Sequence, residues 1–144
     1  MSVRDVLIVG AGPSGLATAI AAKQRNLDYV VVEKGILVNS IFNFPTHMMF
    51  FTTPELLEIG GLPLVTPYDK PMRLEALRYY RRVADTHSLQ VSLGEVVEAL
   101  VPVADGFAVH TRSAAGPRTR HARNVSRAAM AAEFFPPTMT TRRR

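Results

Sequence analysis

Asp5-Val6-Leu7-Ile8-Val9-Gly10-Ala11-Gly12-Pro13-Ser14-Gly15 is the stretch whose reading decides the fold. Its first five residues form a short apolar run rich in β-branched side chains, the pattern of a strand buried on both faces of a parallel sheet. Glycines at 10, 12 and 15 then give the spacing G-x-G-x-x-G. Working outward, residues 14–25 are alanine-rich, with Leu16 and Ile20 four apart and Lys23, Gln24 and Arg25 at the far end, and they read as a helix closing near Asn26. A second strand follows from Tyr29 to Glu33. Strand, glycine turn, helix and parallel strand within about thirty residues make a βαβ unit, which closes right-handed almost without exception.

Each glycine of that turn has its own task. Gly10 permits the tight turn, Gly12 lets backbone approach a pyrophosphate with no side chain in the way, and Gly15 allows helix and strand to pack closely. Phosphates then sit against unpaired N–H groups at the positive end of the helix. Glycine-rich turns also serve purely structural needs, so the context matters. Glu33 ends the second strand, 18 residues past Gly15, where a carboxylate can accept hydrogen bonds from the ribose hydroxyls of an adenosine. The same carboxylate repels a 2′-phosphate, which argues against NADP at this site. FAD and NAD share the fingerprint; the interruption of the sheet described next favours FAD, because NAD domains more often continue in strict βα alternation.

Beyond Gly35 the periodicity fades, and Pro45, Pro54, Pro63 and Pro67 punctuate a segment to Lys70 that is too long for a simple connection. Loops of that length are usually functional. Residues 73–87 read as a helix with Leu74, Leu77, Tyr80 and Ala84 on one apolar face. Strand-like runs follow at 89–93, 96–103, 107–112 and 118–125, the last three read as an antiparallel meander. After Val125 the character changes again. Residues 128–135 read as a short helix with nothing to continue into beyond Pro136 and Pro137, and 126–144 as an aberrant, truncated or out-of-frame end. The expected division is therefore a FAD-binding domain, 1–125, and a tail, 126–144.

The bulk properties fit this reading. One domain suits 144 residues, and 47% hydrophobic with 20% charged composition is that of a folded chain. Of the formal charge of +5, the last 19 residues carry +3, so the body is nearly balanced and nucleic acid is not an expected partner. There is no cysteine, which removes disulfides, thiolate metal sites and thiol redox chemistry from these residues. The opening residues lack a secretory layout and no apolar run approaches a membrane span, so a cytoplasmic setting without membrane contact is expected.

From Gly10 to about Val97 the sequence resembles the bacillithiol-disulfide reductase family of flavoproteins, themselves similar to thioredoxin reductases. The resemblance lies in the glycine turn and in Val32-Glu33-Lys34-Gly35, Val38-Asn39-Ser40-Ile41, Phe42-Asn43-Phe44-Pro45-Thr46-His47, Phe50-Phe51, Leu57-Glu58-Ile59-Gly60 and Leu77-Arg78-Tyr79-Tyr80-Arg81. It implies FAD, an NADPH-binding domain later in such chains, and electron delivery through the flavin to a low-molecular-weight disulfide. By position it lays residues 39–46 along the flavin ring and the backbone near Val96 against the adenine. The residues expected to hold the cofactor are Gly10, Gly12, Pro13, Ser14, Gly15, Glu33 and Lys34, with Asn39, Phe44, Thr46 and Val96.

Two departures qualify it. Reductases of this type carry cysteine inside the glycine turn where this chain has Ser14, and a hydroxyl cannot exchange with a disulfide as a thiolate does. The apolar run closing in Ala-Thr-Gly that follows Val125 in relatives is also missing. The expected fold is thus α/β, a Rossmann-like FAD-binding domain with a parallel sheet and an inserted meander, incomplete at its C-terminal end. The expected function is the FAD-binding part of an NADPH-dependent flavin oxidoreductase, not competent by itself, with no catalytic residue and no metal. A flavin-binding fragment that needs a partner chain, or part of a flavin monooxygenase, are the alternatives, and self-association stays open.

Overall fold

The computed structural model describes residues 2–127. The glycine turn joins β1 (Val3–Val9) to α1 (Pro13–Gln24), and β2 (Tyr29–Glu33) returns parallel to β1 with Leu7 opposite Val30 and Val9 opposite Val32. Pro13 opens α1 at a position where its missing N–H costs nothing. The helix closes at Asn26, whose φ of 56° is the left-handed conformation asparagine tolerates well. Then come a one-turn α2 (Asn39–Phe42), a 3₁₀ turn (Pro54–Leu57), α3 (Arg73–Thr86), β3 (Val91–Leu93), β4 (Val96–Val103), β5 (Gly106–Ser113) and β6 (Gly116–Arg127).

All six strands form one sheet in the order β3-β2-β1-β6-β5-β4. The first four are mutually parallel and the last three antiparallel, because β6 belongs to both parts. Its first half pairs with β5 as the last arm of the meander, and residues 121–127 run beside β1. Burial on both faces follows the two-residue period of a strand. Ile8 and Val31 face the helices with Leu16, Leu77, Tyr80 and Val83, while Leu7, Val30 and Val32 face Val97, Val109 and Ala122 of the meander.

Most expected elements are found within two residues of their expected ends, with three corrections. Leu74 is not part of the buried face of α3: it lies in the first turn, 48% exposed, and Ala76, Tyr79 and Val83 complete the face instead. The third strand starts at Val91 rather than Leu89. The strand ending the meander runs through Ser126 and Arg127, paired with Ile8 and Val9, so the boundary after 125 falls inside a strand. The short helix and the rest of the tail expected at 128–144 lie outside the described residues.

The long excursion is held by side chains rather than by a sheet. The Tyr79 hydroxyl accepts from the Ile59 N–H (2.8 Å) and reaches the Leu62 carbonyl (2.7 Å), and the Tyr80 hydroxyl donates to the Leu57 carbonyl (2.8 Å). Glu58 accepts the Leu64 N–H at 3.0 Å. Glu75 takes the Met72 N–H at 2.8 Å and so closes the start of α3.

Candidate dinucleotide site

A cavity of about 550 Å³ opens at the carboxyl ends of β1 and β2, the size range of small-molecule and cofactor sites. The glycine turn forms one wall, the end of β2 and the start of β4 a second, and α2 with Phe44 and Phe50 a third. Of the expected residues, Gly10, Gly12, Pro13, Ser14, Glu33, Lys34, Asn39, Phe44 and Val96 all line it. Gly15 and Thr46 do not. Gly15 is buried in the first turn of α1, consistent with a packing role, and Thr46 lies exposed in the turn that follows Pro45, where the chain has already left the cavity.

The turn is built as a cradle. Gly10 has φ 101°, a value that side-chain-bearing residues rarely adopt, and its N–H is spent on the Val32 carbonyl at 2.8 Å. Gly12 has φ −76° and ψ −178°, an extended conformation open to any residue, and a Cβ added to it would meet nothing within 4 Å. The fold therefore makes no demand for glycine at 12. A ligand lying against that backbone would. The first-turn N–H groups of α1 have no intrahelical acceptor and point toward the same space.

Glu33 closes on this turn. Its carboxylate, in a residue only 6% exposed, accepts the Ala11 N–H at 2.8 Å and the Gly35 N–H at 2.9 Å. A carboxylate has about four lone-pair sites, so these two bonds fix its direction and leave acceptor capacity for a pair of hydroxyls. Neighbouring Val38 holds φ 48° and ψ 47°, fully buried, a left-handed conformation that is an outlier for a β-branched residue. Its N–H donates to the Ala11 carbonyl at 2.9 Å, so the turn before α2 is tied to the glycine turn despite a cost of roughly 1–3 kcal/mol.

The aromatic residues divide. Phe44 and Phe50 are half-buried, meet edge to face with centroids 6.3 Å apart, and form cavity wall. Phe42 is 43% exposed beneath the Arg73 guanidinium, which sits 5.5 Å from its ring centroid, and Phe51 is 91% exposed. His47 is exposed and does not line the cavity.

One charged group at the site went unanticipated. Glu95, 4% exposed, lines the cavity and carries a two-pronged ion pair with Arg120, whose Nε and Nη2 each lie 2.8 Å from a carboxylate oxygen. The hydroxyls of Ser92 and Thr111 also donate to it, each at 2.5 Å. The guanidinium holds the Glu95 carboxyl down to about 2 against burial, which pushes it up, and the two hydroxyls add to the lowering. Its own N–H donates to the Glu33 carbonyl at 3.0 Å. No local pattern announces these four residues, which lie on β3, the β3–β4 corner, β5 and β6. Among the described residues no cluster of three metal-ligating side chains exists, and no helix is long and apolar enough to cross a membrane.

A sequence profile of the pyridine nucleotide-disulphide oxidoreductases matches residues 7–129. The chain belongs to that family. Among curated proteins it is 49% identical to the bacilliredoxin reductase Bdr of Bacillus subtilis over 83 residues, 58% of this chain and 26% of that protein. Among solved structures, the bacillithiol disulfide reductase Bdr (YpdA) of Bacillus cereus superposes with a TM-score of 0.85 at 38% identity, over 88% of this chain and 39% of the other. A flavin-containing monooxygenase of Stenotrophomonas maltophilia shares the fold, with a TM-score of 0.74 at 24% identity over 89% of this chain and 38% of the other. The chain thus spans about a quarter of the curated reductase it matches. The resemblance read from Gly10 to Val97 and the Rossmann-like flavoprotein fold are both found.

Proposed function

We propose that the cavity holds FAD, and that these residues are the flavin-binding part of an NADPH-dependent oxidoreductase acting on a low-molecular-weight disulfide of the bacillithiol type. The observation that carries the reading is the Glu33 carboxylate, buried at the end of β2 and turned onto the glycine turn through the Ala11 N–H. An acidic side chain aimed there reads a ribose, while the bare backbone at Gly12 leaves room for a diphosphate. Similarity to two proteins named for reduction of bacillithiol or bacilliredoxin disulfides supports the substrate class.

In this reading the α1 N–H groups bind the diphosphate, Glu33 orients the adenosine ribose, Val96 borders the adenine, and Phe44 with Phe50 keeps water from one wall. A bound flavin supplies hydride transfer between a nicotinamide and the acceptor. Ser14 contributes a small polar residue in the first turn of α1 and no thiol chemistry. A monooxygenase assignment has weaker support: 24% identity to a solved flavin-containing monooxygenase and 26% to a curated indole-3-pyruvate monooxygenase of Arabidopsis thaliana, against 38% and 49% for the two reductases.

Purified protein is scanned from 300 to about 550 nm and then titrated with FAD. The expected result is a flavin spectrum, either retained through purification or restored with saturable binding near one equivalent. A folded protein that neither retains nor takes up FAD would remove the assignment.

A further inference from the structure

Gly94 turns the chain from β3 into β4 at φ 65°, and Glu95 occupies the corner. The corner is tied to the glycine-turn side of the site by two backbone bonds, from the Gly94 N–H to the Gly35 carbonyl (3.2 Å) and from the Glu95 N–H to the Glu33 carbonyl (3.0 Å). The Glu95 side chain reaches the opposite way, into the inner face of the meander. There it meets Thr111, which pairs with both Val97 and Arg118, and Arg120, which pairs with Val109. Val109 and Ala122 on that face are buried apolar residues, so a guanidinium between them is out of place unless it is neutralised. Such a pair returns little net stability over an apolar pair of similar volume. What it does supply is a fixed direction, because a bidentate carboxylate–guanidinium contact tolerates little rotation.

Resting on the FAD assignment, we propose that Glu95 and Arg120 act as a positioning pair for the adenosine half of the ligand. They hold the start of β4, with Val96 and Val97 in the cavity wall, at a set distance from Glu33. β4 is the last strand of the sheet, so no further strand restrains the outer edge of that wall. Without the pair, the wall beside the ribose keeps the two corner backbone bonds and its ladder with β5, where Val96 lies opposite Arg112 and Val97 opposite Thr111, but loses the side-chain tie that runs from the corner across β5 to β6.

The test uses the 144-residue protein with the double substitution Glu95→Gln/Arg120→Met, which removes both charges together and so avoids stranding one of them. Val83→Ala, a cavity in the core of α3 remote from the ligand, serves as a control of lowered stability. FAD and ADP affinities are measured for all three proteins at a temperature where each is folded. The double variant is expected to bind FAD about tenfold more weakly and ADP more weakly by the same factor, with Val83→Ala within about twofold of the parent for both. Unchanged affinities in the double variant, an FAD loss without an ADP loss, or an equal loss in Val83→Ala would each overturn the positioning role while leaving the FAD site standing. A parent protein that binds neither ligand would overturn the site itself, and this role with it.

Discussion

Glu33 shows how one side chain serves fold and site together. Its two oxygens satisfy the amides of Ala11 and Gly35, and neither amide has another acceptor as near. Truncation to alanine leaves both N–H groups without that partner, at about 1–3 kcal/mol for each group left unmade, so Glu33→Ala is expected to lower unfolding stability by roughly 2–6 kcal/mol in urea. Glu33→Gln keeps one carbonyl acceptor and should recover part of that stability while still losing ribose recognition. A Glu33→Ala protein as stable as the parent would mean that the carboxylate does not hold the turn. Val38 is the opposite case, a residue whose strained backbone follows from its neighbours; nothing in a valine between Leu37 and Asn39 announces a left-handed φ.

Among the elements, the β3–β4 corner carries the clearest dependence on pH. The Glu95 carboxyl is lowered to about 2 from an ordinary 4.5, chiefly by Arg120, with Ser92 and Thr111 also donating to it. Between those values the unfolded chain binds a proton that the folded chain does not, so stability rises with pH across the window. The contribution is complete above about 4.5 and is lost as pH falls toward 2. Chemical denaturation of the parent and of Glu95→Gln/Arg120→Met at several pH values should therefore show the parent losing more stability than the variant between pH 4.5 and 2. Parallel curves would show that the pair does not titrate as described.

The same scale shows what was legible in the sequence. β2 was bounded to the residue, since Tyr29–Glu33 is a continuous β-forming run between a helix stop and Gly35. The meander was legible from turn residues at 105–106 and 115–117. Residues 35–70 were not, because their order comes from tertiary bonds such as those of Tyr79 and Tyr80 to the 57–62 backbone, and no local period encodes them. Nine of the eleven expected cofactor residues line the cavity: those of the fingerprint because it specifies backbone, and Asn39, Phe44 and Val96 because the resemblance carried their positions, whereas Thr46, placed in the same way, lies where the irregular segment turns away and Gly15 packs inside α1. Glu95 was missed for a different reason: recognising it needs the register that sets Thr111 and Arg120 on the inner face.

For the molecule as a whole, one sheet joins the glycine turn to the meander, and β6 links them by lying beside β1 at one end and β5 at the other. Ligand bound at the turn therefore stabilises the entire folded unit. At a FAD concentration a hundredfold above Kd the gain is about 2.7 kcal/mol, and for a chain of this size roughly 5–11 °C in melting temperature. Gly12 separates ligand from fold most sharply, because its backbone conformation suits any residue and the space before it is open. The decisive measurement is calorimetric unfolding of the parent and Gly12→Ala, each with and without FAD. The account predicts ligand-free midpoints within about 4 °C of each other, since the change at the helix cap is worth no more than about 1 kcal/mol, and a FAD shift in the parent that Gly12→Ala lacks. A Gly12→Ala protein that gains as much from FAD as the parent, or a parent that gains nothing, would contradict it.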